Sequence, residues 1–293
     1  MYSKILIPLD GSKLSEAVLP YTRVLAHNLR IPVELLYVND ANQPAVCAPF
    51  LASEYLKSIA ESFGCCGAVR HVIAQGDAAA TIIKAAAAEP QMLIAIATHG
   101  YSGTQRWLLG SVAEKVLRAA GNHVLLVRPA NCESGTEAKL TTVIVPLDGS
   151  ELAEKVLPTV SQLALSLNLQ VVLIRVTRRV YSAPPEGFLP VFGANVLDLK
   201  KLWQEAKAAA QQYLTEQANR LRQQGLTQVT SLVFECGTDG AAAAIIDLVK
   251  KTPDNFVAMC THGESGITKW LLGSVTERVV HHASAPVLVI RPR

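Results

Sequence analysis

Ile5-Leu-Ile-Pro-Leu-Asp-Gly-Ser12 and its near-copy Val143-Ile-Val-Pro-Leu-Asp-Gly-Ser150 decide the fold. Each is a short apolar run that stops at an acidic residue and a glycine turn before a helical pattern begins. The match continues as Glu16-Ala-Val-Leu-Pro20 and Glu154-Lys-Val-Leu-Pro158, so the chain is two homologous halves. Matching landmarks lie 138 residues apart at Asp10 and Asp148 but 163 apart at Gly100 and Gly263, and the excess falls mainly around 178–202. A period this long indicates duplicated domains rather than a solenoid of small repeats.

Outward from these runs, each half alternates apolar segments with longer helical patterns, the signature of a parallel sheet covered by helices on both faces. The first half predicts strands at Lys4–Leu9, Val33–Val38, Ala68–Ala74, Met92–Ala97 and His123–Val127. The second predicts them at Val143–Leu147, Gln170–Val176, Val229–Glu235, Asn255–Met259 and Pro286–Ile290. Helices are predicted over Ser15–Leu29, Ser53–Phe63, Ala78–Ala88, Ser111–Ala119 and Leu197–Gln224. The expected fold is therefore α/β, two tandem doubly wound domains, each a five-stranded parallel sheet of order 3-2-1-4-5. Domains are placed at 1–130 and 139–293, with a polar linker at 131–138. Tyr181 to Pro190, rich in proline, reads as an irregular excursion.

With 293 residues, half of them hydrophobic and only 17% charged, two compact cores are affordable and extended disorder is excluded. A net charge of +3 is too small to signal nucleic-acid binding. No apolar stretch spans a bilayer, no signal peptide is visible, and the six cysteines show no CxxC spacing or duplication, so a reduced cytoplasmic setting is expected. The unduplicated pair His281-His282 is a weak metal candidate, and Arg178-Arg179 and Lys200-Lys201 read as solvated charge.

Chemistry concentrates in a second repeat. Ala97-Thr-His-Gly100 leads through Gly103, Arg106 and Trp107 to Gly110-Ser111, and Cys260-Thr-His-Gly263 leads through Lys269 and Trp270 to Gly273-Ser274. Glycines let backbone amides approach a ligand, and a helix opening after Gly110 would aim its N–H groups at an anion. A competing explanation is that Ser111-Val-Ala-Glu114 and Ser274-Val-Thr-Glu277 are capping boxes. Asp10, ending the first strand beside the crevice, could accept from an adenine amino group or ribose hydroxyl, or simply close a local turn with Ser12. His99 and His262 suggest general acid catalysis or loop fixation, with fixation favoured because no carboxylate partner stands at a recognisable spacing. Walker A, G-x-G-x-x-G, nucleophile-elbow and HExxH sequences are absent.

The combination of Pro-Leu-Asp-Gly-Ser after the first strand with Thr-His-Gly-x9-Gly-Ser after the fourth resembles the universal stress protein family, over nearly the whole chain and twice. That resemblance implies a stress-response sensor or regulator that binds ATP, or AMP or ADP, with Mg2+ as a candidate counter-ion. The residues it marks are Pro8, Asp10, Val38, Ala97, His99, Gly100, Gly103, Arg106, Gly110, Ser111 and Val112 in the first half. In the second they are Asp148, Val176, Gly263, Gly273, Ser274 and Val275. The family's first loop glycine is Ala97 here and Cys260 in the second copy, and Glu264 stands where the first half has Tyr101. Extra bulk at Cys260 and negative charge at Glu264 make the first half the stronger expected site. No catalytic or metal-ligating residue is assigned. The alternatives are a nucleotide-free scaffold and a slow ATPase or phosphotransferase using His99. The last runs, 123–128 and 286–291, would be edge strands in the order 3-2-1-4-5, and exposed apolar edges need partners, so the two halves are expected to pair through them, and whole chains to self-associate.

Overall fold

The structure, a computed structural model, describes residues 1–40, 49–64, 68–99, 109–129, 138–178, 196–237, 239–261 and 272–292. The first half runs β1 (Lys4–Leu9), a 3-10 turn (Ser15–Val18), α1 (Leu19–Leu29), β2 (Val33–Asn39), α2 (Pro49–Glu61), β3 (Val69–Gln75), α3 (Ala78–Ala87), β4 (Met92–Ala97), α4 (Ser111–Ala119) and β5 (Val124–Val127). The second runs β6 (Thr142–Pro146), α5 (Glu151–Glu154), α6 (Leu157–Leu167), β7 (Gln170–Arg178), α7 (Val196–Gln223), β8 (Val229–Cys236), α8 (Gly240–Lys251), β9 (Asn255–Cys260), α9 (Ser274–His282) and β10 (Val287–Ile290). The helix expected over Ser15–Leu29 is two pieces, because Pro20 lacks an N–H and its ring fits only the first turn of α1. Pro158 imposes the same break between α5 and α6.

The strands form one sheet in the order β3-β2-β1-β4-β5-β10-β9-β6-β7-β8. Each half thus has the order 3-2-1-4-5, parallel throughout, and the halves meet where β5 pairs antiparallel with β10, Leu288 opposite Leu125. All four residues of β5 and of β10 are buried. An unpaired apolar edge is a liability, and here each half covers the other's.

Alternation along the strands splits the core in two. Ile5, Ile7, Leu35 and Val143 pack under α1, α2, α6 and α7, while Leu6, Leu36, Ile94 and Ile144 pack under α3, α4, α8 and α9. Both layers run through the join between halves. On one face α1 packs on α6. On the other, Arg118 of α4 pairs with Glu114 at 3.0 Å and with Glu277 of α9 at 3.4 Å. Arg291 donates to the carbonyls of Leu117 and Arg118 (2.8 Å to Arg118), where the helix dipole of α4 is negative.

Candidate functional site

Pro8 opens the crevice. In β1 the Ile5 amide bonds toward β2, to Pro32 O at 3.0 Å, so alternate amides at 4, 6 and 8 face β4. Pro8 has no amide to offer. Accordingly β1 pairs with β4 only over Lys4–Leu6, whereas it stays paired with β2 over Ile5–Leu9. Pro146 repeats the device: β6 pairs with β9 over Thr142–Ile144 and with β7 as far as Pro146. The strands part at the point where strand order reverses, the place where doubly wound sheets receive ligands.

Asp10 and Val38, from β1 and β2, stand at this carboxyl end, and Ala97-Thr98-His99 stand across the crevice at the end of β4. Asp10 Oδ1 accepts from the Ser12 amide at 2.9 Å, so the local turn reading is realised with one carboxylate oxygen. Val38 and Val112 pack partly buried on the α3–α4 face. His99 Nδ1 and the buried Thr98 hydroxyl are 2.9 Å apart, a bond that fixes the ring against the strand end. Gly100, Gly103 and Arg106 lie outside the described residues, as do Gly263, His262, Glu264, the segment 130–137 and the excursion at 181–190.

Gly110 ties the crevice to α4. Its amide donates to Thr98 O at 2.7 Å, and a Cβ built there would meet that carbonyl at 3.0 Å. The close approach favours glycine. Gly110 is also the N-cap, with an extended backbone, and Ser111 is the first helical residue. Gly273 and Ser274 repeat this, with Gly273 N to Thr261 O also 2.7 Å. The capping-box reading is therefore corrected: a box needs serine at the N-cap, and glycine holds that place in both copies, crowded at Gly110 by the strand-end carbonyl. Among the described residues no side chain caps α4, and its first amide with a backbone acceptor is Glu114, on Gly110 O at 2.9 Å. The earlier amides of the first turn have no acceptor within the helix.

The second crevice differs in its filling. Ser150 bonds Asp148 through both its amide (2.9 Å) and its hydroxyl (2.6 Å) and caps α5 through the Ala153 amide at 3.1 Å. The Arg175 guanidinium lies against Gly149, 2.9 Å from where a Cβ would be, and 5.0 Å from the Tyr213 ring centroid. By strand register Arg175 stands where the first half has buried Tyr37. Cys260 does not project its bulk into the loop; it is buried under α5, with Sγ 3.8 Å from Ala153 O. Burial first, then the Asp148 charge, pushes its thiol up to about 12. Val176 and Val275 pack partly buried as Val38 and Val112 do, but Val176 pairs with Phe234 where Val38 pairs with Ala74.

Sequence reasoning missed a tyrosine. Tyr55 precedes buried Leu56 on α2 and Tyr213 precedes buried Leu214 on α7, in matching Ala-x2-Tyr-Leu frames. Both hydroxyls are buried, and among the described residues neither makes a hydrogen bond of ordinary geometry, although Ser15 and Glu16 stand close to Tyr55 and Glu154 close to Tyr213. Burial, then Glu16 and Asp10, raise the Tyr55 phenol above its ordinary range, and burial with Glu154 and Asp148 raises that of Tyr213. Its signal was duplication inside otherwise unmatched helices. Asp40 was missed too: this buried carboxylate accepts from Ala78 N at 3.2 Å at the start of α3.

A tandem doubly wound sheet split by proline at each switch point, with a glycine-capped helix beside each, defines a duplicated α/β protein with one crevice per half. The chain belongs to the universal stress protein family, whose model matches residues 1–128 and again 139–291. A universal stress protein of Mycolicibacterium smegmatis is 24% identical over 225 residues, 77% of this chain and 69% of that one. One of Methanocaldococcus jannaschii is 32% identical over 143 residues, 44% of this chain and 83% of its own length. A universal stress protein of Archaeoglobus fulgidus superposes over all of both chains with a TM-score of 0.70 at 20% identity, which speaks for the fold. Among the described residues no helix is long and apolar enough to cross a membrane, and no group of three or more His, Cys, Asp or Glu could hold a metal ion.

Proposed function

We propose that this protein binds one adenine nucleotide, ATP or its mono- or diphosphate, in the first half and acts as a sensor or regulator rather than a fast catalyst. The observation that carries the reading is Gly110: pinned to Thr98 O at the end of β4, it is the N-cap that starts α4 beside the crevice Pro8 opens, with no side chain among the described residues capping that helix. Phosphate would sit on the first-turn amides of α4 and on the Ser111 hydroxyl, with Gly100, Gly103 and Arg106 completing the loop. Val38 and Asp10 would meet base and ribose, and Mg2+ would offset phosphate charge. We assign His99 a positioning role at the strand end, where its Nδ1 is bonded to Thr98.

The second half is proposed as a scaffold copy. Ser150 occupies Asp148, Arg175 lies over Gly149, and Phe234 adds bulk beside Val176. Domains at 1–130 and 139–293, a cytoplasmic setting and self-association of whole chains belong to the same proposal.

Titration calorimetry with ATP tests it. Wild type should bind with a stoichiometry near one, Gly110→Lys should lose binding, and Gly121→Lys should keep it, because a Cβ at Gly121 meets nothing within 4 Å. Equal affinity in wild type and Gly110→Lys would remove the site.

A further inference from the structure

We propose that a second copy of this chain docks on the outer edge of β8, strand against strand; this rests on the self-association proposed above and gives it a surface. β3 and β8 end the ten-stranded sheet, and among the described residues no strand pairs with the outer side of either. An edge of this kind invites a further strand unless charge, proline or a bulge blunts it. β8 reads Val-Thr-Ser-Leu-Val-Phe-Glu-Cys, with neither proline nor a cationic residue.

The two edges are duplicates that have diverged. Pro8 stands beside Leu36 and Pro146 beside Ile174, and one strand further out these meet Val72 and Leu232. By this register β3 carries exposed Arg70 and then His71 where β8 carries Thr230 and Ser231. Apolar bulk differs in the opposite sense: Val72 and Ala74 of β3 are matched by Leu232, 42% exposed, and Phe234. Glu235, the charged residue of β8, is neutralised by Lys207 of α7 at 2.9 Å. Cationic side chains guard β3, and β8 lacks them.

Backbone direction selects the occupant. Val171 N donates to Gln228 O at 2.8 Å and Thr177 Oγ1 to Phe234 O at 3.3 Å, so even positions of β8 turn their amides and carbonyls to β7 and odd positions turn theirs outward. Arg222 Nη2 already takes the outward carbonyl of Val229, at 2.7 Å. Ser231, Val233 and Glu235 are left to offer theirs to a new strand. A twofold axis at Val233 pairs them antiparallel with their own copies, Val233 on the partner's Val233 and Ser231 on the partner's Glu235. The same register sets Leu232 against the partner's Phe234 in the closer, non-hydrogen-bonded pairs, which covers the exposed leucine. Within one chain the β5–β10 join is the same device: homologous edges, antiparallel, with leucine opposite leucine. A self-complementary edge closes as a dimer rather than a fibre.

Sedimentation velocity of the full chain from about 1 to about 100 μM tests it. Wild type should move from monomer to dimer as concentration rises. Leu232→Lys should raise the dissociation constant at least about tenfold at an unchanged melting temperature, because each copy would bury a charge. Thr230→Arg, which installs the guard that β3 carries, should do the same and covers the case in which the lysine variant does not fold. Ile73→Lys, at the exposed apolar residue of β3, should leave the constant unchanged. Hydrogen exchange read by peptide should slow over 229–236 as concentration rises and stay constant over 69–75. A chain still monomeric at about 100 μM would overturn this surface together with the self-association it rests on. A dimer as tight in either folded β8 variant, loosened by Ile73→Lys, or protected at β3 instead of β8 would overturn the surface alone.

Discussion

Gly110 and Cys260 show what single residues disclose. Gly110 is legible as a loop glycine from its spacing, but its reason is not: the constraint comes from Thr98 O, a carbonyl twelve residues back brought close only by the turn from β4 into α4. The apparent Ser-x-x-Glu box misleads because local pattern cannot see that carbonyl. Cys260 misleads in the other direction. Read as a bulky intruder in the loop, it faces the core under α5, since the alternation of β9 sends position 260 to that side. Its chemistry follows. A thiol held up at about 12 when folded, against an ordinary value near 9, favours the folded state while protonated, and that contribution is lost as pH rises from about 9 to 12. At pH 8, peptide-resolved mass spectrometry should find Cys260 unalkylated by iodoacetamide in native protein and fully alkylated in denaturant. Fast native labelling would place the thiol elsewhere.

At the scale of elements, the strands were readable to within two residues: the inner ones because a strand buried on both faces needs an unbroken apolar run, and the outer β3 and β8 because their apolar residues are interrupted by polar ones that face solvent. Helix ends were legible in part: α4 lies where its apolar spacing put it and α3 and α7 within one residue, but α2 begins at Pro49 rather than Ser53, and Pro20 splits the helix expected over Ser15–Leu29, whose apolar spacing runs on through the break. Side-chain pairing between elements was wholly hidden. Arg118 joins Glu114 and Glu277 across the halves, yet these side chains are each more than 40% exposed, so each pair is worth no more than about 1 kcal/mol. Glu277→Gln should accordingly change the unfolding free energy by less than about 1 kcal/mol, and that difference should shrink in 1 M salt. Urea denaturation at both ionic strengths measures it. A loss of 3 kcal/mol would mean the pair is desolvated far more than its exposure allows.

The whole molecule is held by the β5–β10 join. In the order 3-2-1-4-5 the fifth strand is an edge, and the apolar runs at 124–127 and 287–290 announced that both edges need cover. What could not be read was how far the join extends: the two core layers, the α1–α6 contact and the Arg291 bonds to α4 all cross it. Each aliphatic side chain fully buried there contributes about 1.5 kcal/mol or more, and those contacts depend on the halves meeting rather than on the peptide that links them. The linker should therefore be dispensable. Residues 1–138 and 139–293, co-expressed as separate chains with a tag on one, should copurify in equal amounts and remain together through gel filtration. Substituting Leu125, which faces Leu288 at the centre of the ladder, with lysine should separate them, because a charge would be buried on an edge with no partner in register. The fragment 1–138 expressed alone should aggregate or pair with itself through β5. Its recovery as a stable, soluble monomer would show that the first half carries its own edge without cover, and the join would then be a contact of convenience rather than what completes the fold.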